Sequence, residues 1–185
     1  MTTGATSGQP GYLVVRVGED GSYTGGLMVT DRHGLPLDFR YTDPVTPTRL
    51  QRALYGTALD RYLRSDVVLK TLLGAVQQRP AILLVEDERL LDEEIPGCPV
   101  VFAAASRAVA IGSPGSVQEE AGGVFLAQID AGSGPLRVAV AAEKSAEITG
   151  IVGALVDLSE TMDVLEPAAR VRQALDLIAA GEAGQ

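Results

Sequence analysis

The run Ala81-Ile82-Leu83-Leu84-Val85, entered through Pro80 and left through Glu86-Asp87-Glu88, constrains this chain more than any other segment. Five consecutive apolar residues have no wet face, so as a strand they must be covered on both sides, the pattern of an interior strand in a layered sheet. The run is too short for a buried helix, which needs about ten residues or more. Val100 to Ala105, after Pro96-Gly97-Cys98-Pro99, is a second such run.

Around these two runs the periodicities predict the other elements. Tyr12 to Val17 is β-branched and short, and Glu19-Asp20-Gly21-Ser22 after it is turn chemistry. Tyr23 to Thr30 reads as the returning strand, with Gly25-Gly26 marking a bulge or a close approach of another backbone. Leu37, Phe39 and Tyr41 alternate with Asp38, Arg40 and Thr42, so a third strand completes an antiparallel meander. Thr46-Pro47 is expected to start a helix, with Leu50, Ala53, Leu54, Leu59, Tyr62 and Leu63 along its apolar stripe. Ser65-Asp66 offers a second cap, so two helices, or one kinked near Arg64-Ser65, should reach Gln78. Gly112 to Gly123 reads as a mobile loop, and Val124 to Ile129 with Leu136 to Ala142 as a closing hairpin. Ser145 is expected to cap a helix carrying Ile148, Ile151, Val152 and Leu155 on one face. Pro167 starts a last helix with Val171, Leu175 and Ile178 inward, and Gly181 stops it.

The fold class expected is therefore α+β, or mixed α/β: an N-terminal antiparallel meander, a helical segment, further strands of one sheet and C-terminal helices. Residues 1–10 are small and polar and read as a disordered leader, with residues 11–181 forming a single globular domain. Helix 167–180 either completes that domain's core or serves as an interaction arm.

Composition narrows the chemistry. Among 185 residues the net charge is −9, so the mean field repels phosphate backbones and anionic lipid. Neither free nucleic acid nor membrane is expected as a partner. Arg49, Arg52, Arg61 and Arg64 form a local positive group, read as a solvated helix face. One histidine, His33, and one cysteine, Cys98, cannot furnish a zinc or haem site, and no G-x-S-x-G elbow exists for a Ser-His-Asp triad. No G-K-[ST] or G-x-G-x-x-G follows a strand, so no nucleotide cofactor is expected. Residues 1–10 carry no basic and apolar export pattern, and the single thiol suits a reducing compartment, so cytoplasm is the expected location.

Gly34-Leu35-Pro36-Leu37-Asp38-Phe39-Arg40-Tyr41, followed by Leu54-Tyr55-Gly56 and, near the end, Leu165-Glu166-Pro167, resembles a widespread family of uncharacterised bacterial proteins with a G-x-P-L-x-F strand, an L-Y-G helix and a C-terminal L-E-P. The likeness implies one coherent domain and no particular chemistry. The order meander, helix, central strand is also similar to the ribonuclease H-like architecture. In that fold a catalytic aspartate projects from the middle of the first strand, where this chain reads Leu13-Val14-Val15-Arg16.

The favoured functional expectation is a non-catalytic binding or scaffolding subunit of a cytosolic assembly, meeting a protein partner or a second copy of itself. A mean hydropathy of +0.17 leaves apolar surface for such contacts, with Tyr41, Tyr55, Val171, Leu175 and Ile178 as interaction residues. One alternative is a magnesium-dependent nuclease or phosphotransferase of ribonuclease H-like fold, using Glu86 and Asp87 with Asp31 or Asp38. Another is a small-ligand sensor with its pocket beside Tyr41 and Tyr55.

Overall fold

The computed structural model describes residues 8–181. Eight strands form one mixed sheet in the order β3-β2-β1-β4-β5-β8-β7-β6. β1 (Pro10–Val17), β2 (Tyr23–Thr30) and β3 (Pro36–Tyr41) are the expected meander. The doubly apolar runs become β4 (Ile82–Val85) and β5 (Val100–Ala105), both parallel to β1 and interior to the sheet. β6 (Val117–Ala121), β7 (Val124–Ala127) and β8 (Leu136–Ala139) extend it antiparallel from β5.

Order starts earlier than the sequence suggests: Pro10 pairs with Ile82, and the Ala81 N–H donates to the Gln9 carbonyl at 2.9 Å. Residues 1–7 of the expected leader lie outside the described residues.

The period-2 pleat sorts β1 between two cores. Leu13 faces the layer built from the β3–β4 crossover, with Leu27, Leu63, Leu69 and Leu72. Tyr12 and Val14 face the opposite layer, with Val152, Leu155, Val171 and Leu175. Gly25 and Gly26 pair regularly with Val15 and Val14, so no bulge lies there; the ladder shifts at Val29/Thr30 instead. The glycines admit helices on both faces: a Cβ on Gly25 would overlap Val68, and one on Gly26 would sit 3.0 Å from Val171 Cγ1.

The crossover differs from expectation in three ways. α1 (Arg49–Tyr55) is capped by Thr48, not Thr46: the Thr48 hydroxyl accepts from the Gln51 N–H and the Gln51 side chain accepts from the Thr48 N–H, a T-x-x-Q capping box. α1 buries no residue, and Leu50 and Leu54 are 67% and 73% exposed. The chain then continues through a 3₁₀ turn (Gly56–Ala58), a single turn α2 (Leu59–Arg61), a π-helical stretch (Tyr62–Leu69) and α3 (Lys70–Ala75). Ser65 therefore caps nothing. The wider π turn carries Arg64 and Ser65 into the interior.

Gly112 to Gly123 contains β6, where a loop was expected; its Gln118-Glu119-Glu120 sequence hides the strand because it is the sheet's exposed edge. A 3₁₀ turn (Ala142–Glu147) precedes α4 (Ile148–Ser159), so Ser145 is not its cap, yet Ile148, Ile151, Val152 and Leu155 are all buried. α5 (Glu166–Ala179) packs Val171 and Leu175 onto β1 and β2, and Gly181, at φ +75°, ends it. Among the described residues no helix is long and apolar enough to cross a membrane.

Candidate functional site

Because β1, β4 and β5 are parallel, their carboxyl ends open together at one edge of the sheet, where crossovers leave a crevice and α/β proteins commonly bind ligands. There the structure forms an open cleft of about 510 Å³ lined by Val15, Val17, Arg64, Glu86, Asp87, Glu88, Arg89 and Phe102. β1 ends here and turns through Gly18–Ser22, a hairpin closed by the Gly18 N–H to the Ser22 carbonyl at 2.8 Å and by Asp20 accepting from the Ser22 N–H. Gly21 takes φ +75°, as this turn requires, and the Arg52 guanidinium lies beside it.

Asp60, Arg64, Asp87 and Arg89 interlock at the cleft. Arg64 Nε donates to both oxygens of Asp60 at 3.0 Å, and its NH1 donates to Asp87 Oδ2 at 2.6 Å. The side chain is 5% exposed, and its guanidinium sits 5.6 Å from the Tyr23 ring centroid. Arg89 forks onto Asp87, with Nε at 2.9 Å and NH2 at 3.1 Å, and reaches Asp60 Oδ2 at 3.2 Å. The Tyr23 hydroxyl donates to Asp60 Oδ1 at 2.8 Å. Burial works against the Asp60 charge, but hydrogen bonds from Arg64 and Tyr23 and the charges of Arg64 and Arg89 outweigh it, holding its carboxyl below the ordinary range. Burial, then the hydrogen bond to Asp60, raises the Tyr23 phenol.

The acidic turn does not act as one cluster. Glu86 reaches Arg172 on α5 at 3.1 Å, Asp87 turns to Arg64 and Arg89, and Glu88 pairs with Arg137 on β8. Arg137 lies 5.4 Å over the Phe102 ring, and on the α5 side Arg16 pairs with Asp176. Six arginines, residues 16, 52, 64, 89, 137 and 172, thus meet at this end of the sheet. The expected solvated face of Arg49, Arg52, Arg61 and Arg64 fails at Arg64, which is buried, while Arg61 stays exposed opposite Glu93.

A magnesium site needs carboxylate oxygens with lone pairs converging on one point. Glu86, Asp87 and Glu88 each carry an arginine, and among the described residues no group of three or more His, Cys, Asp or Glu could hold a metal ion. Val15 and Val17 bring no carboxylate to the cleft from β1. The donor set does not fit the metal that the nuclease alternative implies. Asp31 and Asp38 do not join it: Asp31 organises the turn after β2, accepting from the His33 and Leu35 N–H groups, and Asp38 accepts from the Gln77 N–H and pairs with Arg40.

The remaining expected site residues are dispersed. Tyr41, 47% exposed, is on edge strand β3 near Phe39, and Tyr55 stacks on Tyr62 at 4.4 Å. Val171 and Leu175 are buried against the chain's own sheet, with Ile178 half-buried beside them. Cys98 is buried, which pushes its thiol up to about 12. Asp60, Arg89 and Arg137 were not singled out from sequence. Asp60-x-x-x-Arg64 has the i,i+4 spacing of a helical ion pair, but nothing local announces the partners from β4 and β8.

No protein-family model matches the chain, and no curated protein matches it by sequence. Solved structures do. Endonuclease V from Streptomyces avermitilis superposes with a TM-score of 0.58 at 15% identity, covering 98% of this chain and 85% of that one. Endonuclease V from Bacillus subtilis gives 0.54 at 11%, covering 94% and 81%. Ciona intestinalis endonuclease V in complex with a 24mer DNA containing an inosine followed by a ribo-adenosine gives only 0.47 at 12%, covering 92% and 87%. The first two likenesses overturn the expectation of a non-catalytic assembly subunit working by protein–protein contact, and with it the expectation against nucleic acid, because the matching proteins are endonucleases by name. At such identities what is shown is the fold: this chain has the fold of endonuclease V.

Proposed function

We propose that this protein acts on nucleic acid at the carboxyl ends of β1 and β4, with substrate phosphates lying against the arginines of that cleft. The observation that carries the reading is the gathering of Arg64, Arg89 and Arg137 around the open end of β4 in a fold shared with endonucleases. Arg89, 61% exposed, and Arg137 present guanidinium edges to solvent, and a phosphate oxygen can replace a carboxylate oxygen on either with the same fork geometry. Arg64 stays inside, fixing Asp60 and Asp87 and so the seat of Arg89. The cluster's acids and bases balance and the whole chain is acidic, so affinity rests on this local site and should fall steeply with salt. The cytoplasm is the compartment we infer, supported by the single buried thiol, and residues 11–181 would work as one domain.

Fluorescence anisotropy with single- and double-stranded DNA and RNA oligonucleotides, with and without inosine, tests this. The expected result is binding that weakens with salt and falls at least tenfold in Arg89→Ala/Arg137→Ala, each lost phosphate contact also reducing the salt slope by about one. Strand cleavage is read from the same samples on denaturing gels. Absence of binding to every oligonucleotide at low salt overturns the proposal.

A further inference from the structure

We infer that the Arg64 guanidinium is the resident cation of this site, occupying the seat between Asp60 and Asp87 that a divalent metal would need. The lone pairs show it. Asp60 Oδ1 accepts from Tyr23 and Arg64, and Oδ2 from Arg64 and Arg89. Asp87 Oδ1 accepts from the Arg89 N–H and Nε, and Oδ2 from Arg64 and Arg89. Asp87 therefore accepts from four N–H groups, the full capacity of an ionised carboxylate, and Asp60 from three donors, its two oxygens sharing the one Arg64 Nε–H. Two arginines also neutralise two aspartates, leaving no net field to draw in a dication. Helix geometry makes the arrangement possible: the π-helical turn from Tyr62 points Arg64 inward toward β4 while keeping it one turn from Asp60.

The consequence is that this protein should contact its ligand through guanidinium groups alone, with affinity indifferent to magnesium or manganese. The placement of the ligand rests on the proposed function; the identity of the cation does not. Manganese binding to the apo protein, read by electron paramagnetic resonance, separates the two, since it needs no nucleic acid. Wild type and Arg64→Lys, which keeps a cation in the seat, should bind no manganese there, whereas Arg64→Gln, which frees oxygens on both aspartates, should gain a site at least tenfold tighter than any in wild type. Equal binding by wild type and Arg64→Gln overturns the inference, as does a folded Arg64→Gln that gains none. Should Arg64→Gln fail to fold, manganese-induced broadening of the Asp60 and Asp87 amide resonances in wild type overturns it, and their sharpness supports it.

Discussion

Arg64 is charged, nearly fully buried and held from two sides, so truncating it removes the inner partner of two carboxylates and leaves them to Arg89 alone. Breaking a buried pair from one side typically costs about 3–5 kcal/mol, and Arg64→Ala should lose stability on that scale in urea unfolding, while Arg89→Ala, largely exposed, should lose under about 1 kcal/mol. Asp60 gives the site a pH signature. Its folded pKa lies below its unfolded value of about 3.9, so the unfolded chain binds the extra proton near pH 4. The stabilisation it provides is complete above about pH 5 and is lost as pH falls through the lowered folded value. The stability gap between wild type and Asp60→Asn should therefore be constant from pH 5 to 7 and shrink below pH 4. At this scale the sequence was half legible. The Asp60–Arg64 spacing is local, but Asp87 lies 23 residues beyond Arg64, and only the parallel pairing of β4 with β1 brings it there. Glu86 and Asp87 are neighbours in sequence, yet the bend after β4 sends them to different arginines.

Among the elements, those with a periodicity set by burial were readable and those at edges were not. β4 and β5 declare themselves because both faces are covered, and α4 because its apolar positions repeat at helical spacing. β6 carries glutamates because it is an edge, so nothing in its pattern is strand-like. Leu50 and Leu54 have helical spacing and still face solvent, since α1 projects from the sheet. The meander's contact with helices depends on Gly25 more than on any side chain, because Val68 fills the space where a Cβ would stand. Gly25→Ala should cost about 1–3 kcal/mol, the usual penalty for overpacking, and Gly25→Ala/Val68→Ala should recover part of the loss in a thermal melt. Thr48→Ala, which removes the cap of a helix that buries nothing, should cost about 1 kcal/mol or less, and chiefly fray α1.

At the scale of the whole molecule, the two cores pin the sheet from opposite faces and leave its carboxyl-end edge free. α5 latches that edge from one side through Arg172–Glu86 and Arg16–Asp176, and the β3–β4 crossover latches it from the other through Arg64–Asp87. The architecture was legible from periodicity, since seven of the eight strands and the two C-terminal helices stand close to where the pattern puts them. The site was not, because it is assembled from β1, the crossover, the β4 end and β8, and none of these contributes its residues within a recognisable motif. Leu175→Asp, which places a charge under α5, should unlatch that side and destabilise the monomer by several kcal/mol in thermal melting. The most direct test of the account is hydrogen–deuterium exchange with a bound oligonucleotide. Protection is predicted at residues 18–22, at 60–64, at 86–90 and around Arg137; protection confined to α1 or the β6 edge, with 86–90 unchanged, would contradict it.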